Sequence, residues 1–168
     1  VYRAGSPVYP GDAPMTREEL EPLARAAAKA HGLDPVLVCA VVEQESTWRA
    51  GATRYEPAFY ERYIAPMNLS PEEGGDRATS WGLMQVMGQV AVEFGFKGQC
   101  LDLLKPETGL EWGCKVLKHK MDMADGNLMH GLLRWNGGGR PAYADEVIAK
   151  MGKYHLPLPG TPTSVEEV

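Results

Sequence analysis

At 168 residues the chain is long enough for one sizeable hydrophobic core and too short for two ordinary domains. Hydrophobic residues at 44% and charged residues at 23% give the balance of a soluble globular protein, expected here as a monomer. A formal net charge of -5 argues against the basic footprint of a nucleic-acid-binding protein, and no run of about 18 apolar residues exists to insert into a membrane.

Residues 1–15 read as an N-terminal extension, 16–156 as one folded domain and 157–168, rich in Pro and Thr, as a loose tail. The opening Val1-Tyr2-Arg3-Ala4 has neither an initiator Met nor an apolar signal core, as expected of a processed signal or a trimmed chain. Thr16 with Glu19 makes a capping box that starts a helix through Leu20, Leu23 and Ala27, ending before Gly32. Asp34-Pro35 is an N-cap followed by a first helical position, and launches an apolar helix expected to reach Trp48. From 50 to 80 the chain reads as irregular, broken by Gly51, Pro57, Pro66, Pro71, Gly74 and Gly75, with room for a small β element. Its aromatics, Tyr55, Phe59, Tyr60 and Tyr63, either pack within the loop or form a sugar-stacking wall. A helix is predicted from about residue 84 to 94, and another from Pro106 through Leu110, Trp112, Val116 and Leu117, with Lys115, Lys118 and Lys120 on its solvated face. Asn127 caps a helix leading into Trp135, which Gly137-Gly138-Gly139 ends. Pro141 starts the last helix, carrying Tyr143, Val147, Ile148 and Met151 at helical spacing.

Cys39, Cys100 and Cys114 make an odd count without a cysteine-dense framework, which favours free thiols over a Cys100–Cys114 bridge. His31, His119, His130 and His155 show no ligand spacing, so neither a metal nor any other cofactor is expected.

The most informative segment is Val36-Leu37-Val38-Cys39-Ala40-Val41-Val42, apolar all round as in a helix buried on every side. Its carboxylates come only at the exit. Burial beside that run, with Trp48 three residues on, and the negative end of the helix dipole would raise the pKa of Glu45, whereas Arg49, four residues on, would lower it by pairing. Glu43 lies about 200° around the helix from Glu45 and reads as structural or peripheral.

Glu45-Ser46 is followed by Gly82-Leu83-Met84-Gln85-Val86, then by Trp135-Asn136-Gly137-Gly138 with Tyr143 beyond. This series resembles the catalytic domain of the soluble lytic transglycosylases and the related goose-type lysozymes, whose pattern is a Glu-Ser pair, Gly-Leu-Met-Gln, Ala-Tyr-Asn-x-Gly and a downstream Tyr. The resemblance spans roughly residues 16–155. It implies a mainly α, lysozyme-like fold of two lobes with a substrate cleft, and peptidoglycan glycan strands as substrate, cut between N-acetylmuramic acid and N-acetylglucosamine at the bacterial cell wall. Two features depart from the pattern: Trp135 replaces its Tyr and Arg134 its Ala, and the 50–80 segment is longer, as a cleft wall or lid would be.

Breaking a glycosidic bond requires a proton on the leaving oxygen while an oxocarbenium-like transition state develops. By resemblance Glu45 supplies it. In a lytic transglycosylase the same carboxylate then takes the proton of the sugar's own 6-hydroxyl, which closes a 1,6-anhydro ring. In an inverting goose-type lysozyme a second carboxylate orients water from about 6.5 to 9.5 Å away; Asp76, six residues before Gly82, is the candidate, with Glu56 and Glu61 behind it. The transglycosylase is favoured. Ser46, Met84, Gln85, Trp135, Asn136 and Tyr143 are the expected substrate-binding residues: Ser46 and Tyr143 on the Glu45 carboxyl or the sugar, Gln85 and Asn136 on N-acetyl or hydroxyl groups, Met84 through its backbone. A non-catalytic wall-binding or structural module is the alternative of another class. The lack of a visible signal or wall-binding repeat leans towards a phage-related enzyme or a domain of a longer chain.

Overall fold

The computed structural model describes residues 14–155, so the expected loose tail and most of the expected N-terminal extension lie outside the described residues. It is mainly helical, with one small antiparallel sheet.

Helix α1 (Arg17–Ala30) starts on the expected capping box: the Thr16 side chain accepts from the Glu19 amide, and Glu19 accepts from the Thr16 amide at 2.8 Å. It carries one buried charge, Glu21, clasped by Arg17 and Arg25 one turn either side. Helix α2 (Pro35–Ser46) is capped by Asp34, and Val36 through Val42 are all buried, so this helix is the axis of the core. It packs on α1 and on α8 (Ala142–Met151), while α6 (Pro106–Asp122) packs on α1 and on α7 (Leu128–Trp135). Asn127 caps α7 as expected, its side chain accepting from the His130 amide at 2.9 Å.

The end of α2 corrects one expectation. The helix stops at Ser46, because Thr47 and Trp48 take left-handed φ values of 52° and 62°. Trp48 therefore leaves the helical face of Glu45, and its indole N–H donates to the Tyr154 hydroxyl at 2.9 Å. Tyr154 in turn donates to Glu43 at 2.5 Å, and Lys153 reaches the other carboxylate oxygen. Burial pushes the Glu43 carboxyl up, but the bonds from Lys153 and Tyr154 outweigh it and hold it low. Glu43 is a clamp between α2 and the 3-10 turn Gly152–Tyr154.

The segment expected to be irregular is ordered throughout. Strand β1 (Thr53–Tyr55) is followed by α3 (Pro57–Phe59), a π-helical turn Tyr60–Ile64, a 3-10 turn Ala65–Met67 and α4 (Pro71–Arg77). The prolines mark starts and not only breaks, since a missing N–H costs nothing at a first helical position. Strand β2 (Thr79–Trp81) pairs with β1, Arg54 opposite Ser80, and with β3 (Val86–Met87), Trp81 opposite Val86. The predicted 84–94 helix thus begins late: Met84 and Gln85 lie in the β2–β3 turn, and α5 spans only Gly88–Glu93.

Gly82 opens that turn with φ +72°, and a Cβ there would stand 2.4 Å from the Leu103 carbonyl oxygen. Only glycine fits. The Met84 side chain, fully buried, fills the notch left by Gly113 on α6 and so binds the sheet to the helical body. Cys39, Cys100 and Cys114 are free and buried, and no helix among the described residues is long and apolar enough to cross a membrane.

Candidate active site

Three helices converge on one carboxyl group. Glu45, in the last turn of α2, presents Oε1 to the indole N–H of Trp135 at 3.0 Å, from the end of α7, and to the hydroxyl of Tyr143 at 2.5 Å, from the start of α8. Oε2 takes no hydrogen bond among the described residues, and none of their buried side-chain oxygens is unsatisfied, so Oε2 opens to the cleft.

The electrostatics follow from this arrangement. Burial raises the Glu45 pKa; the bonds from Tyr143 and Trp135 and the charges of Arg54 and Arg140 pull it down without cancelling that rise. The neutral acid is therefore favoured more than in water. Burial, and then the Glu45 charge, push the Tyr143 hydroxyl far above its ordinary range, so it remains a donor. Arg49, the one cation expected to clamp Glu45, donates instead to the Ser46 carbonyl at 3.1 Å.

Glu45 lies in a cleft of about 410 Å³. The sheet side contributes Arg54, Glu56, Phe59, Ser80, Gln85, Val86 and Met87, and the helical side Val116, Lys120 and Arg134 through Gly137. Gln85 takes φ +49°, a backbone state that non-glycine residues rarely adopt. Its amide N–H₂ donates to the carbonyls of Ala52 at 3.0 Å and Gly82 at 2.9 Å, which fixes the turn and leaves Oε1 to accept in the cleft. Asn136 donates to the Arg140 carbonyl at 3.2 Å across the glycine loop, leaving its own Oδ1 as an acceptor on the cleft wall.

Other expected site residues stand elsewhere. The Ser46 hydroxyl donates to the Val42 carbonyl at 3.1 Å and is buried, so it bonds within its own helix and not to the Glu45 carboxyl. Met84, expected to contribute its backbone, is fully buried and does not line the cleft. Asp76 lines a separate depression of about 610 Å³ with Glu72, Glu73, Trp81 and Phe96, while the Trp81 indole donates to its carbonyl at 3.0 Å. The spacing ahead of Gly82 does not bring its carboxylate to the cleft of Glu45, because α4 ends and β2 intervenes. Glu61 is absent from the cleft wall, whereas Glu56 lines it, paired with Arg54 at 2.5 Å. Among the loop aromatics only Phe59 lines the cleft, packed at a tilt against Tyr63 with ring centres 5.0 Å apart.

Sequence reasoning missed Arg54 and Ser80, and it assigned Lys120 to a solvated helix face although that side chain lines the cleft. Periodicity along α6 separates buried from exposed positions, but not a face open to water from one open to a cleft.

A helical body, a small sheet lobe and one shielded carboxyl between them define a lysozyme-like, glycan-cleaving protein. The family model of the transglycosylase SLT domain matches residues 22–150, and the chain belongs to that family. It is an enzyme that cuts peptidoglycan glycan strands, a peptidoglycan lytic transglycosylase. No solved structure matches the chain.

Proposed function

We propose that Glu45 acts first as acid and then as base, releasing a 1,6-anhydromuramyl product from the bond between N-acetylmuramic acid and N-acetylglucosamine. The carrying observation is the asymmetry of its carboxyl group: both protein donors are on Oε1, and Oε2 faces the cleft. A proton on Oε2 passes to the glycosidic oxygen as the bond to the muramyl C1 breaks. The carboxylate left behind is stabilised on its other oxygen by Tyr143 and Trp135, donors already in place before charge develops. It then accepts the proton of the muramyl 6-hydroxyl, whose oxygen closes on C1. The acid is restored without water. In this reading Gln85 and Asn136 hold N-acetyl or hydroxyl groups, and Trp135 and Phe59 offer apolar faces to the sugar rings. The setting is the bacterial wall, reached from the periplasm, from outside or by phage delivery.

One observation favours a second reading. Glu56 shares the cleft with Glu45 and would serve an inverting hydrolase as the residue that orients water. Its pairing with Arg54 counts against it, since the guanidinium competes with a water for the same carboxylate. Mass spectrometry of digested peptidoglycan separates the two: anhydro-ended fragments are expected, and reducing ends that disappear in Glu56→Gln would establish the hydrolase instead.

A further inference from the structure

Behind the last turn of α7 lies a second depression of about 340 Å³, lined by Met123, Ala124, Asp125, His130, Leu133 and Arg134. Arg134 also lines the cleft of Glu45, so the two hollows meet across a single side chain. It directly precedes Trp135, the indole that touches Glu45. Arg134 and Lys120 both line the helical wall of the cleft, and neither side chain forms an ion pair or hydrogen bond among the described residues. The other cation lining that cleft, Arg54, is neutralised by Glu56, and Arg140, across the glycine loop, by Glu146. In a chain of net charge -5, two unpaired cations on one cleft wall are not a reflection of bulk composition. Arg134 is moreover the residue that departs from the Ala of the family pattern.

We propose that Arg134 and Lys120 form a carboxylate-binding subsite, and that the depression beyond Arg134 receives the acidic peptide stem attached to the muramic acid next to the cut bond. This deepens the transglycosylase reading and rests on it for the placement of the sugar. The chemistry fits in three ways. A guanidinium takes a carboxylate by two parallel N–H bonds, with Lys120 adding a point charge. Met123, half exposed, with Leu133 and Ala124, offers an apolar bed to alkyl parts of the stem. Asp125 lines the same hollow and suits the free amine of a diamino acid. Two carboxylates occur on such strands, those of the stem and, where the stem has been removed, that of the muramyl lactyl arm; the geometry across Arg134 favours the stem.

Affinity is to be measured by calorimetry on the full chain carrying Glu45→Gln, with three tetrasaccharides: stem-bearing, stem-free with bare lactyl carboxylates, and an all-N-acetylglucosamine tetramer lacking carboxylate. The stem-bearing ligand is expected to bind about tenfold more tightly than the neutral tetramer, an advantage that shrinks with added salt. Arg134→Ala and Lys120→Ala should each remove most of it, Arg134→Lys should restore part, and Lys97→Ala, a cation lining the separate depression beside Asp76, should leave it intact. An advantage that survives Arg134→Ala together with Lys120→Ala overturns the subsite, as does one confined to the lactyl carboxylate. If the wild-type chain fails to clear purified walls while the stem-bearing ligand still binds through Arg134, the enzymatic reading falls and this site stands.

Discussion

The hydroxyl of Tyr143, at the start of α8, lies 2.5 Å from Oε1 of Glu45, at the end of α2. Residues 98 positions apart are thus joined by one short bond, and the packing of α2 on α8 holds it in place.

Removing that hydroxyl tests its role. Tyr143→Phe deletes a donor that favours the ionised form, so the Glu45 pKa should rise further. The limb of the pH–rate profile set by Glu45 ionisation should move to higher pH, while kcat falls by about 100-fold because the carboxylate formed in the transition state loses a preorganised donor. Initial rates of muropeptide release across a pH series provide both readings.

Glu45 also predicts a pH dependence of stability, with a definite sign. Its folded pKa is raised, so the folded state binds the proton more tightly than the unfolded chain does. That advantage is complete below the ordinary carboxylate value of about 4.3 and is lost as pH rises through the folded pKa. Glu45→Gln, permanently neutral, should therefore unfold at a higher temperature than wild type at neutral pH, and the difference should close as pH falls below the ordinary value. Turnover should be absent throughout. Calorimetric melting at several pH values, beside a wall-clearing assay, checks both statements.

Gly82→Ala is expected to be severe. Its Cβ would meet the Leu103 carbonyl oxygen at 2.4 Å, and φ +72° is unfavourable for alanine in any case. A loss of about 3 kcal/mol or more is expected from a backbone clash combined with a strained dihedral. The same change should displace Gln85, whose amide bonds to the Gly82 carbonyl. Denaturant unfolding reports the first effect and the Michaelis constant of the residual folded enzyme the second.

Ser46→Ala distinguishes the local geometry from the motif. The hydroxyl bonds back to Val42 inside α2, so its removal should cost about 1 kcal/mol or less of stability and change kcat by less than about twofold. A loss on the scale of Tyr143→Phe would mean that the hydroxyl reaches Glu45 or the sugar during the reaction.

How far the chain could be read depended on range. The Thr16 and Glu19 box, the Asp34 cap and the Asn127 cap are interactions within three residues, and each forms where the local pattern demands. Glu45, Trp135, Tyr143, Gln85 and Asn136 were legible because their types recur in a motif order whose members meet in space. Asp76 follows from the same kind of argument from spacing, yet it lines a different hollow, since six residues along the chain contain both a helix end and a strand start.

Capping residues and the apolar run of α2 settle that this chain is a helical domain built around a buried axis, with the Glu45 carboxyl at the exit of that axis, because each of those effects acts over a turn or less. Which oxygen of Glu45 is shielded, that Trp48 turns away to Tyr154, that Ser46 points inward, and that Lys120 and Arg134 face the cleft are all decided by how α2, α6, α7 and α8 pack. Packing brings together residues about 90 positions apart, and no short-range rule contains the distance between them.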